Sequence, residues 1–115
     1  MTGKTAIRIA FWLAALSVLV LSLLPTSTPL PSTGWDKSNH VLGFAILGLL
    51  GSLGYQRQEV RIVAGLIAFG ALIEVLQGLS GYRFAEWGDL LSDVIGIALG
   101  IFVAWFAGRA IPILR

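Results

Sequence analysis

Ionisable residues recur at helical spacing within apolar sequence. His40 follows Asp36 by four residues and Lys37 by three. Glu74 precedes Gln77 by three, Asp89 precedes Asp93 by four, and Arg83 stands between the two groups. Residues three and four apart share one side of a helix. An imidazole beside carboxylates, half out of water, has the makings of general acid–base chemistry, because desolvation and neighbouring charge retune such groups. Lysine and arginine suit phosphate or carboxylate, and arginine does so with a two-pronged fork. Glu74, His40, Asp89 and Asp93 are therefore the catalytic candidates, with Glu74 or His40 as the base. Lys37, Arg83, Asp36 and Gln77 are the candidates for holding a ligand.

These residues need helices to position them. The chain has 115 residues, 57% hydrophobic and 12% charged. A soluble domain averages about 45–50% apolar and about 25% charged, and a small one has too much surface to hide the excess. A soluble enzyme, a nucleic-acid binder and a disordered tail are excluded on composition. With Cys 0 there is no disulfide framework, thiolate metal site or cysteine nucleophile. Apolar runs separated by Pro, Gly and charge predict an all-α polytopic membrane protein, a single domain over 1–115. Four transmembrane helices are expected at about 7–24, 36–55, 60–79 and 89–108. The runs lack the alternation of barrel strands. The first is expected to remain as an uncleaved span, since it reaches Leu24 without an A-x-A site and Pro25 follows.

Lys4, Arg8, Arg57, Arg61, Arg109 and Arg115 fall on one side of this arrangement, Lys37 and Arg83 on the other. The positive-inside rule then places both termini and the short charged loop in the cytoplasm. Trp35, Tyr82, Phe84 and Trp87 would form the outer aromatic belt. The uncharged cores of helices 2–4 reach only roughly 18–23 Å, short of the ~30 Å of hydrocarbon. Each helix must draw polar residues into the membrane, and all three shortfalls lie at the outer end. His40, Glu74 and Asp93 reach one level, roughly 6–8 Å below the outer surface. Asp36, His40 and Gly43 form one stripe; Gly70, Glu74, Gln77 or Gly78, and Gly81 a second; Asp89, Asp93, Gly96, Gly100 and Ala104 a third. Gly96-x-x-x-Gly100 is a close-approach pattern for helices in lipid.

Each residue also has a plainer reading. Asp36 and Asp89 could cap helix N-termini and pair with Lys37 and Arg83. Gln77 could join helices, and Trp35, Tyr82 and Trp87 could anchor the interface. Capping fails for Glu74, which sits near a helix C-terminal end where negative charge is disfavoured. Intramembrane ionisable groups are functional by default.

The ordered set Asp36-Lys37-x-x-His40, Glu74-x-x-Gln77, Arg83-Phe84 and Asp89-Leu90-Leu91-x-x-x-x-Gly96 resembles the VanZ-like family of small bacterial membrane proteins, over roughly residues 35–104. The family pattern usually has Asn where this chain has Asp93. The resemblance implies a cell-envelope location and a part in glycopeptide (teicoplanin) tolerance, without a settled activity.

Two readings of function follow. In one, an outer-face pocket binds and modifies an anionic envelope lipid or cell-wall precursor by acid–base chemistry. In the other, the same pocket is a non-catalytic binder of a lipid headgroup, an antibiotic or a partner helix. Whether the protein is an enzyme stays open at this point. Membrane lipids are expected partners, with a lipid-linked precursor or a glycopeptide as ligand and a homo-oligomer as an alternative assembly; no nucleic acid is expected. No cofactor is assigned. A metal site is a third option, in which His40, Glu74, Asp89 and Asp93 would supply one nitrogen and several oxygens, but none is assigned, because no H-E-x-x-H or similar spacing occurs and ligands on three helices cannot be argued from spacing. A transporter subunit is the weakest alternative, since the inner halves of helices 2–4 offer little polar beyond Ser52.

Overall fold

The computed structural model describes residues 2–24, 36–81 and 86–111, with Asp36 described in its backbone only. Thr2 opens α1 (Gly3–Leu23): its hydroxyl accepts from the Thr5 N–H at 3.1 Å, satisfying one of the donors a helix start leaves bare. That cap starts the helix four residues before the expected apolar run. α2 (Asp36–Gly54) and α3 (Glu59–Leu79) follow within a residue of their expected bounds. α4 (Trp87–Ala110) extends two residues beyond expectation at each end. Each helix lies in an apolar stretch, and the described connection between α2 and α3 is a short polar turn through Gln56, Arg57 and Gln58.

α1, α3 and α4 are long and apolar enough to cross a membrane. At 1.5 Å per residue, the 21 residues of α3 cover about 31 Å, close to the hydrocarbon thickness. α2 does not meet that measure, because five polar residues open it, Asp36 through His40. Much of the outer surface is apolar: Trp12, Leu16, Leu72, Leu99, Phe102 and Phe106 are all exposed. Such a belt suits lipid better than water.

α2 touches all three other helices and packs most closely on α4. The two run parallel, with Val41 against Gly96 and Ala45 against Gly100. A Cβ on Gly96 would strike the Val41 carbonyl oxygen, and one on Gly100 the Ala45 carbonyl oxygen. Hydrogen at both positions is what allows the backbones to meet. Phe44, Leu47, Leu66, Ile73 and Ile97 fill the centre, and Phe11 joins them from α1.

At the other end of α2, Lys4 Nζ donates to the Leu53 carbonyl at 3.0 Å and Arg8 Nε to the Gly54 carbonyl at 2.7 Å. These are carbonyls that a helix end leaves without internal partners, and cations there also suit the helix dipole. Arg8 lies over the Tyr55 ring at 4.7 Å, and Trp12 Nε1 donates to Tyr55 Oη at 2.9 Å. The basic N-terminal part of α1 is thereby fixed beside the α2–α3 turn, which carries Arg57 and is followed by Arg61 in the first turn of α3.

Candidate functional site

The opposite end of the molecule gathers the acids. Asp89 lies in the first turn of α4, and Asp93 follows one turn later. Both point inward, with Ser92, Gly96, Ile97, Gly100 and Ala104 completing the buried side of the helix. On α3 the buried side is Leu66, Gly70, Ile73, Glu74 and Gln77, while Gly78 is exposed. The stripe therefore runs through Gln77. His40 enters from the second turn of α2.

His40 Nδ1 lies 2.7 Å from Asp93 Oδ1, and the Asp93 side chain has no exposed surface. An ionised carboxylate only accepts, so Nδ1 is the nitrogen that donates to Asp93, and in a neutral ring Nε2 then holds the lone pair. Nε2 faces Asp89 Oδ2 at 3.8 Å, beyond hydrogen-bond reach. One ligand-type atom from each of His40, Glu74 and Asp89 lies within 4.8 Å of the other two. Helices α2, α3 and α4 each contribute to this one small volume.

Gly70 makes room for the pair. A Cβ there would come within 2.6 Å of Asp93 Oδ2. Gly43 does something else: its nearest neighbour is Val18 of α1, so it serves the α1–α2 contact and not the site.

Around the centre, Glu74 and Asp89 each have one oxygen held by a further partner. Glu74 Oε2 accepts the Glu86 backbone N–H at 2.9 Å. Asp89 Oδ1 lies 3.4 Å from Lys37 Nζ. Lys37 also donates to Glu86 Oε2 at 2.8 Å. Glu86 is solvent-exposed, and its bond to the Lys37 ammonium holds its carboxyl below the ordinary range. Lys37 and Glu86 form the rim, and His40, Asp89, Glu74 and Asp93 form the interior.

Among the described residues, three buried side-chain oxygens have no hydrogen-bond partner: Glu74 Oε1, Asp93 Oδ2 and Gln77 Oε1. Buried polar atoms normally find one, so each orphan asks for an explanation. Gln77 is partly accounted for, since its Nε2 donates to the Ser22 carbonyl of α1 at 2.9 Å. It ties α3 to α1 one turn beyond Glu74. Asp89 does not occupy the N-cap position of α4, which belongs to Glu86. Its buried carboxylate instead meets Lys37 and His40.

Arg83, Tyr82, Phe84, Trp35 and the Pro-rich segment 25–34 lie outside the described residues, as does the Asp36 side chain. Trp87 is highly exposed at the start of α4. Glu86 is the participant that side-chain spacing does not single out. Its backbone N–H, not its carboxylate, meets Glu74, and only an acid three residues before Asp89 hints at it.

An apolar groove of about 480 Å³ runs between α3 and α4, lined by Val63, Ile67, Val94, Ile97, Ile101 and Trp105, among others. It begins at Val94, next to Asp93, and descends about 16 Å along α4 to Trp105. Comparison with family models, with curated proteins and with solved structures finds no match to this chain.

Proposed function

We propose that this chain is a four-span protein of the bacterial cytoplasmic membrane, similar in kind to the VanZ-like proteins, that acts on an anionic envelope amphiphile. α2 is the fourth span, its polar opening turns screened from lipid by α4, α1 and α3. Both termini lie in the cytoplasm, and the acidic cluster lies beneath the outer surface. The basic cluster of Lys4, Arg8, Arg57 and Arg61 at the far end supports that orientation.

The observation that carries the reading is the His40–Asp93 pair set against Glu74 and Asp89. A buried carboxylate that fixes the imidazole tautomer leaves Nε2 able to take or give a proton. This is the base–orienter arrangement of acid–base enzymes. A lipid-linked phosphate or cell-wall precursor fits the surroundings. Its headgroup would meet Lys37 at the rim, and its chain would lie in the α3–α4 groove that starts beside Asp93. A part in glycopeptide tolerance follows from the family resemblance and belongs to the same reading.

Lipid-linked phosphates and anionic phospholipids should be incubated with the protein in nanodiscs and followed by mass spectrometry. Turnover of one class, abolished by Glu74→Gln and by His40→Ala, supports the acid–base reading. Retained turnover in Glu74→Gln defeats it. Saturable binding without turnover, weakened more by Arg83→Ala than by Glu74→Gln, identifies the non-catalytic binder.

A further inference from the structure

The described residues of the site carry an imbalance. Glu74, Asp89, Asp93 and Glu86 supply four carboxyl groups, against the Lys37 ammonium and the His40 imidazole. Buried acids in a low-dielectric site need partners. An anionic headgroup would add to the excess.

The partnering pattern shows where compensation belongs. Asp93 takes His40 Nδ1, the Glu86 N–H takes Glu74 Oε2, and Lys37 takes Asp89 Oδ1. Beyond these bonds, His40 Nε2 faces Asp89 Oδ2 at 3.8 Å, and Glu74 Oε1 and Asp93 Oδ2 have no hydrogen-bond partner, the latter lying toward Gly70. Glu74 is 8% exposed, and its Oε1 has no hydrogen-bond partner. His40, Glu74 and Asp89 each place a ligand-type atom within 4.8 Å of the others.

We propose that His40, Glu74 and Asp89 bind one divalent transition-metal ion, zinc first among them, with Asp93 orienting His40. One nitrogen and two carboxylate oxygens is a zinc-type donor set, and three protein ligands leave a fourth position open. Tetrahedral bonds of about 2.0–2.1 Å put ligand atoms about 3.3 Å apart. The 3.8 Å between His40 Nε2 and Asp89 Oδ2 contracts by about 0.5 Å to reach this, and the set as a whole, spread over as much as 4.8 Å, closes by up to about 1.5 Å. A metal-bound histidine usually donates its other N–H to a carboxylate, and Asp93 stands in that position. Sequence spacing cannot reveal the set, because each ligand comes from a different helix.

The open position suits a phosphate oxygen. The ion would then join an acidic pocket to an anionic headgroup, a part that rests on the proposed binding of an anionic amphiphile; the metal site itself does not. With His40 Nε2 and Glu74 on the ion, proton transfer at those atoms belongs to the metal-free protein.

The protein should be stripped with chelator, placed in phosphatidylcholine nanodiscs in phosphate-free buffer and titrated with zinc by calorimetry. Cobalt absorption serves as a second probe. One zinc per chain is expected, weakened at least 100-fold by His40→Ala or Glu74→Gln and about 10–100-fold by Asp93→Asn. Glu59→Gln, at the other end of the molecule, should leave binding unchanged. Should a variant not fold, the wild-type protein decides alone: zinc must shift the ¹⁵N resonance of His40 Nε2, the chain's single histidine. No saturable zinc uptake, or an unmoved Nε2 resonance, overturns the proposal. Phosphatidate vesicles form a separate arm. Zinc binding without phosphatidate binding contradicts the headgroup role alone. Phosphatidate binding that is the same with and without zinc removes the bridging ion while leaving the function standing.

Discussion

His40 on α2 and Asp93 on α4 meet at 2.7 Å, and a glycine on the third helix, Gly70, makes the space for their contact. The pair is held from both sides. α2 and α4 are locked together by Gly96 and Gly100, and α3 closes over Asp93. The chemistry of the site therefore depends on backbone packing one and two turns below it.

That dependence is open to test at Gly70. Gly70→Ala adds a methyl group within 2.6 Å of Asp93 Oδ2. It should displace the carboxylate without removing any polar residue. Ligand binding or turnover should fall about as far as in Asp93→Asn, with helical content unchanged by circular dichroism. Wild-type activity in Gly70→Ala would show that the pair does not need this spacing.

Gly100→Leu should separate α2 from α4, because its side chain would strike the Ala45 carbonyl. Overpacking of this kind costs about 1–3 kcal/mol or more. Gly65→Ala is the counterpart: nothing lies within 4 Å of an added Cβ there, and it should stabilise α3 by up to about 1 kcal/mol. Thermal unfolding in one detergent checks both, and equal effects from the two substitutions would contradict the close α2–α4 contact.

At the rim, Lys37→Ala should lower the melting temperature more than Glu86→Ala. The first leaves the buried Asp89 carboxylate without its ammonium, whereas the second removes an exposed partner. The reverse ranking would mean that Lys37 serves Glu86 and not Asp89.

Much of this arrangement is legible in the residues. The interval from Asp89 through Asp93, Gly96 and Gly100 to Ala104 marks one side of a helix, and all five are buried on α4. Glu74 stands out because a carboxylate near a helix C-terminus has no capping role, and its side chain is buried on α3. Other features stay hidden for physical reasons. A helix in a bundle has more than one neighbour, so a stripe does not say which helix it meets; Gly43 and Gln77 turn to α1 for that reason. The Glu86–Glu74 bond runs through a backbone N–H, which side-chain patterns do not encode. Arg83, expected at the rim, lies outside the described residues.

Orientation is tested with single cysteines, since the native chain has Cys 0. Cysteines placed at Thr28 and Gln58 should react with impermeant reagent from opposite sides, Thr28 from outside and Gln58 only after permeabilisation. Labelling of both from one side would contradict the four-span topology.

The most direct test of the shared ionisable site uses the chain's one histidine. Its ¹⁵N spectrum in lipid bilayers reports His40 without overlap. The expected spectrum shows the hydrogen on Nδ1, strongly hydrogen-bonded, with shifts that move in Asp93→Asn, in Glu74→Gln and in Asp89→Asn, three changes on two other helices. A His40 signal typical of a solvated imidazole, indifferent to all three, would contradict the convergence on which the proposed function stands.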